Sequence, residues 1–258
     1  MAWKTYIRAA IPKPLWHRYV AERVAYKHRQ MRQNLVKQFG RYAEYTLTQR
    51  TLPELFPQHK QRMAHIPIEE IVRDDEMEMP LSELVSLAGV TQLVQPQRIF
   101  EFGTYLGAST LVMAQNSPAD SQLFTLDLDP ATRNQAMRRA GYSFTLMFQP
   151  GERFHYTPEA TRIHQLYVGL EPFDFTPYYG TMDLVLVDAD HSYDFVKADT
   201  AVALKLIKPG GVIVWDDYTW KDQYPECVGV TRCLNELADS KPIYRIAQTR
   251  FGIYIDHP

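Results

Sequence analysis

The sequence predicts an α/β fold in which a doubly wound, mostly parallel sheet carries helices on both faces. From residue 81 onward, short apolar runs alternate with stretches of helical periodicity, and this alternation is typical of parallel sheets. Within the run at 182–187, residues 184–187 are all apolar, as expected of a strand that is buried on both faces. A chain of 258 residues is long enough for one such domain and an extension.

Each element of this region follows from its own pattern. Short apolar runs predict strands at 99–102, 122–128, 163–168, 182–187 and 212–215, and an edge pair at 243–246 and 251–255. Helical periodicity predicts helices at 82–94, 109–115, 131–139, 193–206 and 230–237. Proline and glycine at 209–211 predict a tight turn. The aromatic-rich insertion at 141–161 is typical of a lid or an acceptor pocket.

Residues 1–78 are predicted to form a basic helical N-terminal extension and connector, followed by one domain at 79–258. Residues 1–62 hold 13 Lys and Arg against three acids, a net charge of +10, whereas the whole chain has a net charge of −2. Such an arm could bind an anionic membrane surface, nucleic acid or an acidic partner. Alternatively, it is a solvated helical face, or its apolar side packs on a second copy or on the domain. We expect a homo-oligomer and no nucleic acid, and peripheral membrane contact through the arm stays open.

Composition argues against a membrane-spanning protein and against a secreted, disulfide-bonded one. No apolar run approaches the ~18 residues of a membrane span, and the N-terminus lacks the apolar core of a secretory signal. The two cysteines, Cys227 and Cys233, fit neither a metal knuckle nor a C-x-x-C redox pair. They are interpreted as reduced packing residues, and the expected location is the cytoplasm.

A glycine turn follows the first predicted strand of the domain. It reads E-x-G-x-x-x-G, with Glu101 ahead of Gly103 and Gly107, and Ser109 opens the next helix. A strand, a glycine turn and a helix in that order build a nucleotide-type pocket at the carboxyl end of a strand. The dinucleotide pattern G-x-G-x-x-G is absent, and a carboxylate at this place suits a cationic ligand better than a phosphate. The turn resembles the first motif of the class I S-adenosylmethionine (SAM)-dependent methyltransferases, whose ligand carries a sulfonium and an ammonium group.

One strand further on, Asp127 and Asp129 end the second predicted strand. An acid at this point can accept both hydroxyl groups of a ribose, which is the role predicted for Asp127, whereas Asp129 is interpreted as a helix N-cap. The methyltransferase resemblance places adenine contacts after the third strand, at Leu170. The cofactor-binding residues predicted in this way are Glu101, Gly103, Thr104, Gly107, Ser109, Asp127, Leu170 and Asp188.

Four carboxylates follow the fourth and fifth predicted strands. Asp188 and Asp190 end one strand, and Asp216 and Asp217 end the other. Because parallel strands end at the same edge of a sheet, these side chains are expected to converge, and like charges so close need a cation or raised pKa values. Oxygen ligands on strand ends suit Mg²⁺. The alternative is that each acid caps a following helix or lies in a separate turn.

The segment 182–218, with its D-x-D-H-S-Y, K-P-G-G and V-W-D-D-Y motifs, resembles the bacterial O-methyltransferases grouped with macrocin O-methyltransferase and the cephalosporin hydroxylase-like proteins, relatives of catechol O-methyltransferase. The resemblance covers about residues 80–255 and implies a seven-stranded, Rossmann-like class I methyltransferase sheet. It implies Mg²⁺ ligation by Asp188, Asp216 and Asp217, and a general base at Asp190. His191 is a second candidate base, or it orients an acid, or its role is structural.

These residues together predict a SAM-dependent and Mg²⁺-dependent O-methyltransferase that acts on a hydroxyl group of a small molecule or a sugar. The cation would hold two neighbouring acceptor oxygens and lower the pKa of one of them. Two alternatives remain. One is a non-catalytic scaffold with a SAM-type fold, and the other is a hydroxylase-type enzyme of the cephalosporin hydroxylase-like group, which would need a redox-active metal.

Overall fold

The structure is a computed structural model that describes residues 26, 29–30, 33–57, 79–134, 149–169, 171–219 and 227–256. Its strands are β1 (Thr48–Arg50), β2 (Arg98–Phe102), β3 (Gln122–Leu128), β4 (Ile163–Val168), β5 (Met182–Val187), β6 (Ile207–Trp215), β7 (Tyr244–Ile246) and β8 (Gly252–Ile255). Its main helices are α1 (Leu81–Val94), α2 (Ala108–Asn116), α3 (Tyr193–Leu206) and α4 (Val228–Leu237). The described residues also include a single helical turn at Leu52–Leu55, 3-10 helices at Gly40–Ala43, Pro158–Arg162 and Thr176–Tyr178, and helical residues at 26, 29–30, 33–39 and 130–134.

All eight strands form one sheet in the order β1-β7-β8-β6-β5-β2-β3-β4. Neighbouring strands from β4 to β6 are parallel, and only β8 runs against its neighbours, β6 and β7. The predicted mostly parallel α/β fold is therefore confirmed. The predicted number of seven strands is wrong, because β1 comes from the region predicted as a connector and pairs in parallel with β7.

The predicted tight turn at 209–211 is also wrong, because these residues lie inside β6. The pairing of β5 with β6 shifts register between Met182 and Leu184, and Gly210 has φ +81°. A bulge of this kind lets a strand bend without leaving the sheet, so the glycines bend β6 instead of ending it. Two other predicted features lie partly outside the described residues: the end of the helix at 131–139 and the first part of the insertion at 141–161.

The side chains of alternate residues in the central strands pack into two apolar layers, one on each face of the sheet. On β2, Phe100 and Phe102 belong to a cluster with Val185, while Ile99 belongs to the opposite cluster with Leu186. All of these side chains are buried. Burial on both faces explains why the central strands read as almost continuous apolar runs. Because β2, β3, β5 and β6 are parallel, their carboxyl ends lie along one edge of the sheet, where the candidate site lies.

Residues 39–50, here called the N-terminal strap, lie against the domain. The Arg41 guanidinium contacts the Asp239 carboxylate at 2.6 Å. The backbone N–H groups of Thr46 and Leu47 donate to the Tyr218 hydroxyl at 3.0 and 3.1 Å. The strap then continues into β1, so this part of the basic arm is joined to the sheet through main-chain hydrogen bonds. Among the described residues, no helix is long and apolar enough to cross a membrane.

Candidate functional site

The glycine turn between β2 and α2 is shaped by close backbone packing. Gly103 and Gly107 both have φ +89°, in the left-handed region that favours glycine. A Cβ on Gly103 would lie only 2.0 Å from the carbonyl oxygen of Asp188, at the end of β5. The turn predicted to bind a cofactor therefore touches the backbone that carries the first of the predicted metal ligands.

Glu101 is fully buried beneath this turn, and three hydroxyl groups donate to its carboxylate. The donors are Ser109 at 2.6 Å, Thr110 at 2.5 Å and Thr125 at 2.6 Å. Burial raises the pKa of Glu101 to about 7, although the three hydroxyl donors oppose the rise. In this structure Glu101 and Ser109 bond to each other inside the turn. Their predicted part in cofactor binding stays a prediction.

Thr104 and Asp127 join the turn to β3. The Thr104 hydroxyl lies 2.7 Å from the Thr125 hydroxyl, in the network under the turn. One oxygen of Asp127 accepts the backbone N–H groups of Thr104 and Tyr105 at 3.1 and 2.9 Å. Asp127 thus lies against the turn, at the carboxyl end of β3, where its predicted role requires it.

Asp129 behaves as its helix-cap interpretation expects. Its Oδ1 accepts the backbone N–H groups of Ala131 and Thr132 at 3.0 and 3.2 Å, at the start of the helical residues 130–134. The two acids at the end of β3 therefore have different surroundings, one against the glycine turn and one at a helix start. Leu170, the predicted adenine contact, lies outside the described residues.

The described part of the insertion covers the glycine turn. The Gly151 N–H donates to the Tyr105 carbonyl at 2.8 Å. Phe154 is 2% exposed, and a Cβ on Gly107 would lie 2.6 Å from its ring. Residues 151–154 are therefore packed onto the turn in this structure. The predicted role of the insertion, as a lid or an acceptor pocket, stays a prediction.

The acids after β5 and β6 converge around an arginine that the sequence patterns do not indicate. This acidic cluster consists of Glu83, Asp188, Asp216 and Asp217. Arg250 donates from Nη2 to Glu83 at 2.6 Å, and its Nη2 lies 3.7 Å from Asp216 Oδ2. The Arg250 Nη1 also donates to Asp217 Oδ1. Glu83 comes from the first turn of α1 and Arg250 precedes β8, so neither is near the strand ends in sequence.

His191 lies on the other side of Asp217. Its Nε2 is 2.9 Å from Asp217 Oδ2 and 3.9 Å from Asp188 Oδ1. Burial alone would lower the pKa of His191, but the two carboxylates outweigh it and raise the pKa to about 10. Burial alone would raise the pKa of Asp217, but the hydrogen bond from His191 and the positive charges of His191 and Arg250 lower it overall. Asp217 thus has one oxygen toward a guanidinium and the other toward an imidazole.

Asp190, the predicted general base, is exposed and does not join the acidic cluster. Its Oδ1 accepts the Ser192 N–H at 2.7 Å, a contact that starts α3. Its charge also reaches Asp199 on the second turn of α3, where burial and the charge of Asp190 raise the pKa to about 7. Asp190 is therefore placed at the edge of the site, open to solvent, and its predicted catalytic role stays a prediction.

The donor chemistry of the acidic cluster fits a divalent cation. Four carboxylates face one guanidinium and one imidazole, so negative charge is in excess. Burial raises the pKa of Asp216 well above its ordinary value, and repulsion from Asp188 and Asp217 raises it further. A divalent cation would relieve this repulsion. Of the three predicted ligands, Asp188 and Asp217 share the side that His191 occupies, whereas Asp216 is turned toward Arg250.

Comparison with known proteins supports the resemblance that these motifs indicate. Residues 100–218 match the family model described as "Methyltransferase domain", from β2 to the end of the acidic motif after β6. A catechol O-methyltransferase of Niastella koreensis is 29% identical over 133 residues, which are 50% of this chain and 52% of that protein. A caffeoyl-CoA O-methyltransferase of Stellaria longipes is 25% identical over 137 residues, 52% of this chain and 51% of that protein. The resemblance to class I SAM-dependent methyltransferases is confirmed.

Two solved structures of O-methyltransferases are similar to this chain at low identity. The O-methyltransferase TomG of Streptomyces achromogenes, determined with SAM, is 20% identical, with a TM-score of 0.49 over 74% of this chain and 94% of that chain. An O-methyltransferase of Bacillus cereus, determined with S-adenosylhomocysteine (SAH), is 17% identical, with a TM-score of 0.43 over 70% of this chain and 82% of that chain. This chain spans about half the length of the curated relatives it matches.

Proposed function

We propose that this protein transfers a methyl group from SAM to a hydroxyl oxygen of a small molecule or a sugar, and that a divalent cation at the acidic cluster assists the transfer. The observation that carries the proposal is the contact between Gly103 and the backbone of Asp188. Through it, a glycine turn that suits SAM and a carboxylate cluster that suits a cation share one edge of the sheet. A methyl donor and an acceptor oxygen bound at these two places would be neighbours, as an in-line transfer requires.

The cofactor half of the proposal rests on the turn and on Asp127. With Gly103 and Gly107 in the left-handed region, the backbone turns sharply at the carboxyl end of β2, between the strand and the start of α2. Asp127 binds the backbone of this turn and is only partly buried, so its carboxylate can also receive the hydroxyl groups of a ribose. Binding of SAM would therefore also stabilise the turn.

The acceptor half rests on the acidic cluster. Asp188 and Asp217, with Asp216 behind them, would hold the divalent cation, whose charge lowers the pKa of an acceptor hydroxyl group. Mg²⁺ is the ion that carboxylate oxygens alone would select. The proton leaves to Asp190, because this carboxylate is exposed at the edge of the site, whereas the Nε2 atom of His191 is buried against Asp217. In this arrangement His191 lies against Asp217 and near Asp188.

The proposal is tested by calorimetry with SAM and SAH on the wild-type protein and on a matched pair of variants. Asp127→Ala should weaken binding by about 10- to 100-fold, the effect of losing a charge-assisted hydrogen bond in a pocket. Asp129→Ala, two residues away, removes a helix cap and should leave the affinity for SAM unchanged. Circular dichroism on both variants separates loss of binding from loss of fold.

The reaction is tested by measuring SAH formation with a panel of catechols and glycosides that carry neighbouring hydroxyl groups. Turnover should fall on addition of EDTA and return with a divalent cation. A wild-type protein that binds neither SAM nor SAH would contradict the cofactor assignment and favour a scaffold. Turnover that EDTA does not reduce would contradict the cation half alone.

A further inference from the structure

A cysteine completes a mixed donor set on the side of Asp217 that faces away from Arg250. The Nε2 of His191, a carboxylate oxygen of Asp217 and the Sγ of Cys227 all lie within 4.8 Å of one another. Oδ1 of Asp188 lies 3.9 Å from the same His191 nitrogen. The sequence predicts a packing role for Cys227, but its side chain also interacts directly with the Asp217 carboxylate. One nitrogen, one sulfur and up to two carboxylate oxygens thus surround one small space.

The geometry between His191 and Asp217 is that of two ligands of one ion. The two atoms are 2.9 Å apart, yet the His191 Nε2 makes no aligned hydrogen bond and is buried from solvent. An unsatisfied buried nitrogen is costly and calls for an explanation. The Sγ of Cys227 lies within 4.8 Å of both atoms, so the three could be ligands of one ion. A cation among them would satisfy the nitrogen.

The other oxygen of Asp217 is already satisfied. Its Oδ1 accepts from Arg250, which also binds Glu83 and lies 3.7 Å from Asp216. The guanidinium therefore contacts Glu83 and one oxygen of Asp217 and lies near Asp216, whereas the other oxygen of Asp217 faces His191, with Asp188 nearby. The donors that meet there include an imidazole and a thiol, so this side of the cluster differs from a set of carboxylates alone.

Donor type decides which ion such a set selects. Mg²⁺ prefers oxygen ligands and keeps several waters, whereas a thiolate and an imidazole select Zn²⁺, Co²⁺ or Fe²⁺. Three protein ligands with one open position are the pattern of zinc sites that bind a substrate oxygen. We infer that His191, Asp217 and Cys227 bind a thiophilic divalent cation such as Zn²⁺ in preference to Mg²⁺. Binding of this ion does not depend on the proposed function, and only the use of its open position for an acceptor oxygen rests on it.

The experiment uses cobalt as a spectroscopic substitute. The full-length protein is stripped with EDTA and titrated with Co²⁺, and the absorption spectrum is recorded. A thiolate ligand produces an intense sulfur-to-cobalt charge-transfer band, which carboxylates and imidazoles do not produce. The band should appear in the wild type, should disappear on addition of Zn²⁺, and should persist in millimolar Mg²⁺.

Two cysteine variants provide a matched pair. Cys227→Ser should abolish the band and weaken Zn²⁺ binding by at least the roughly 10- to 100-fold that loss of a supporting partner costs at metal sites. Cys233→Ser changes the other buried cysteine, on α4, and should keep both. Because a buried Cys→Ser change can also impair folding, X-ray absorption on the zinc-loaded wild type serves as a second measurement. It should find one sulfur at about 2.3 Å from zinc.

The outcomes separate this inference from the proposed function. A wild type without the band, or with a zinc shell that lacks sulfur, overturns the thiophilic site. If that protein still binds SAM in the calorimeter, the proposed function survives with a carboxylate-bound ion. A band and a sulfur ligand in a protein that does not bind SAM would support the metal site and overturn the proposed function.

Discussion

Changing Tyr218 to Phe removes one hydroxyl group and keeps a buried ring, so it measures how firmly the N-terminal strap is held next to the acidic cluster. The Tyr218 hydroxyl accepts the N–H groups of Thr46 and Leu47 at 3.0 and 3.1 Å. It also donates to Asn235 Oδ1 at 2.8 Å. Tyr218 itself is 1% exposed and follows Asp217 directly. One hydroxyl group therefore links the strap, α4 and the segment that carries two of the acids.

The expected loss of stability follows from these three bonds. Leaving a buried donor without a partner costs about 1–3 kcal/mol. Thr46 is exposed and Leu47 is half-buried, so water can replace part of what their N–H groups lose. We therefore expect Tyr218→Phe to lower the free energy of unfolding by about 2–3 kcal/mol. Tyr254→Phe is the control. The Tyr254 hydroxyl donates to the half-buried Asp256 at 2.8 Å and accepts from Lys241 at 3.5 Å, and because both partners reach solvent its loss should cost about 1 kcal/mol.

Urea denaturation measures both free energies, and amide hydrogen exchange locates the change. Tyr218→Phe should speed exchange at the amides of residues 46 and 47, while Tyr254→Phe should leave them as in the wild type. Equal destabilisation by the two variants, together with unchanged exchange in residues 39–50, would refute the reasoning. The strap would then be held mainly by the Arg41–Asp239 ion pair and by β1.

Two further predictions concern the glycine turn. Gly103→Ala should lower the free energy of unfolding by more than about 3 kcal/mol, because its Cβ would lie 2.0 Å from the Asp188 carbonyl oxygen. Gly180 also has a positive φ, +67°, but open space around it, so Gly180→Ala should cost only the ~1–2 kcal/mol of left-handed strain. Equal losses of the two variants in thermal denaturation would contradict the close approach at Gly103. Burial raises the pKa of Glu101 from 4.5 to about 7, so the folded protein holds this proton where the unfolded chain releases it, and the associated stability is lost as pH rises through that window. Glu101→Gln cannot titrate, so its stability relative to the wild type should rise by up to roughly 3 kcal/mol between pH 4.5 and 7, and a difference that stays flat with pH would show that the carboxyl is not perturbed.

Sequence patterns predicted the bounds of an element best where its own residues carry a strand or helix pattern. The strands at 122–128, 163–168 and 182–187 and the helix at 193–206 have the predicted bounds, and each contributes buried apolar residues to the core. β1 was not predictable in this way, because its residues Thr48, Gln49 and Arg50 are exposed at the sheet edge. Its conformation is set by pairing with β7, whose partner residues lie almost 200 positions later in the chain.

The candidate site was predictable only where it follows a strand. Asp188 and Asp217 were predicted to converge because parallel strands end at one edge, and the structure brings both to His191. Glu83, Cys227 and Arg250 come from a helix start, a loop end and a turn, and no spacing in the sequence relates them to the strand ends. Their contribution is charge balance and donor type, which depend on the packing of distant elements.

The backbone itself marks the two halves of the site as one unit. Among the described non-glycine residues, four have positive φ, and two of these are Tyr105 in the glycine turn and Asp217 in the acidic cluster. A left-handed conformation costs a non-glycine residue about 1–2 kcal/mol, and it persists only where surrounding contacts hold it. The Tyr105 backbone N–H donates to Asp127. The Asp217 backbone N–H donates to the Asp216 carboxylate at 2.6 Å, and the Asp217 carboxylate accepts from Arg250. Asp127 is the residue proposed to bind SAM, and Asp216 and Asp217 are among those proposed to bind the cation. Ligand binding and the strained backbone conformations therefore depend on the same carboxylates.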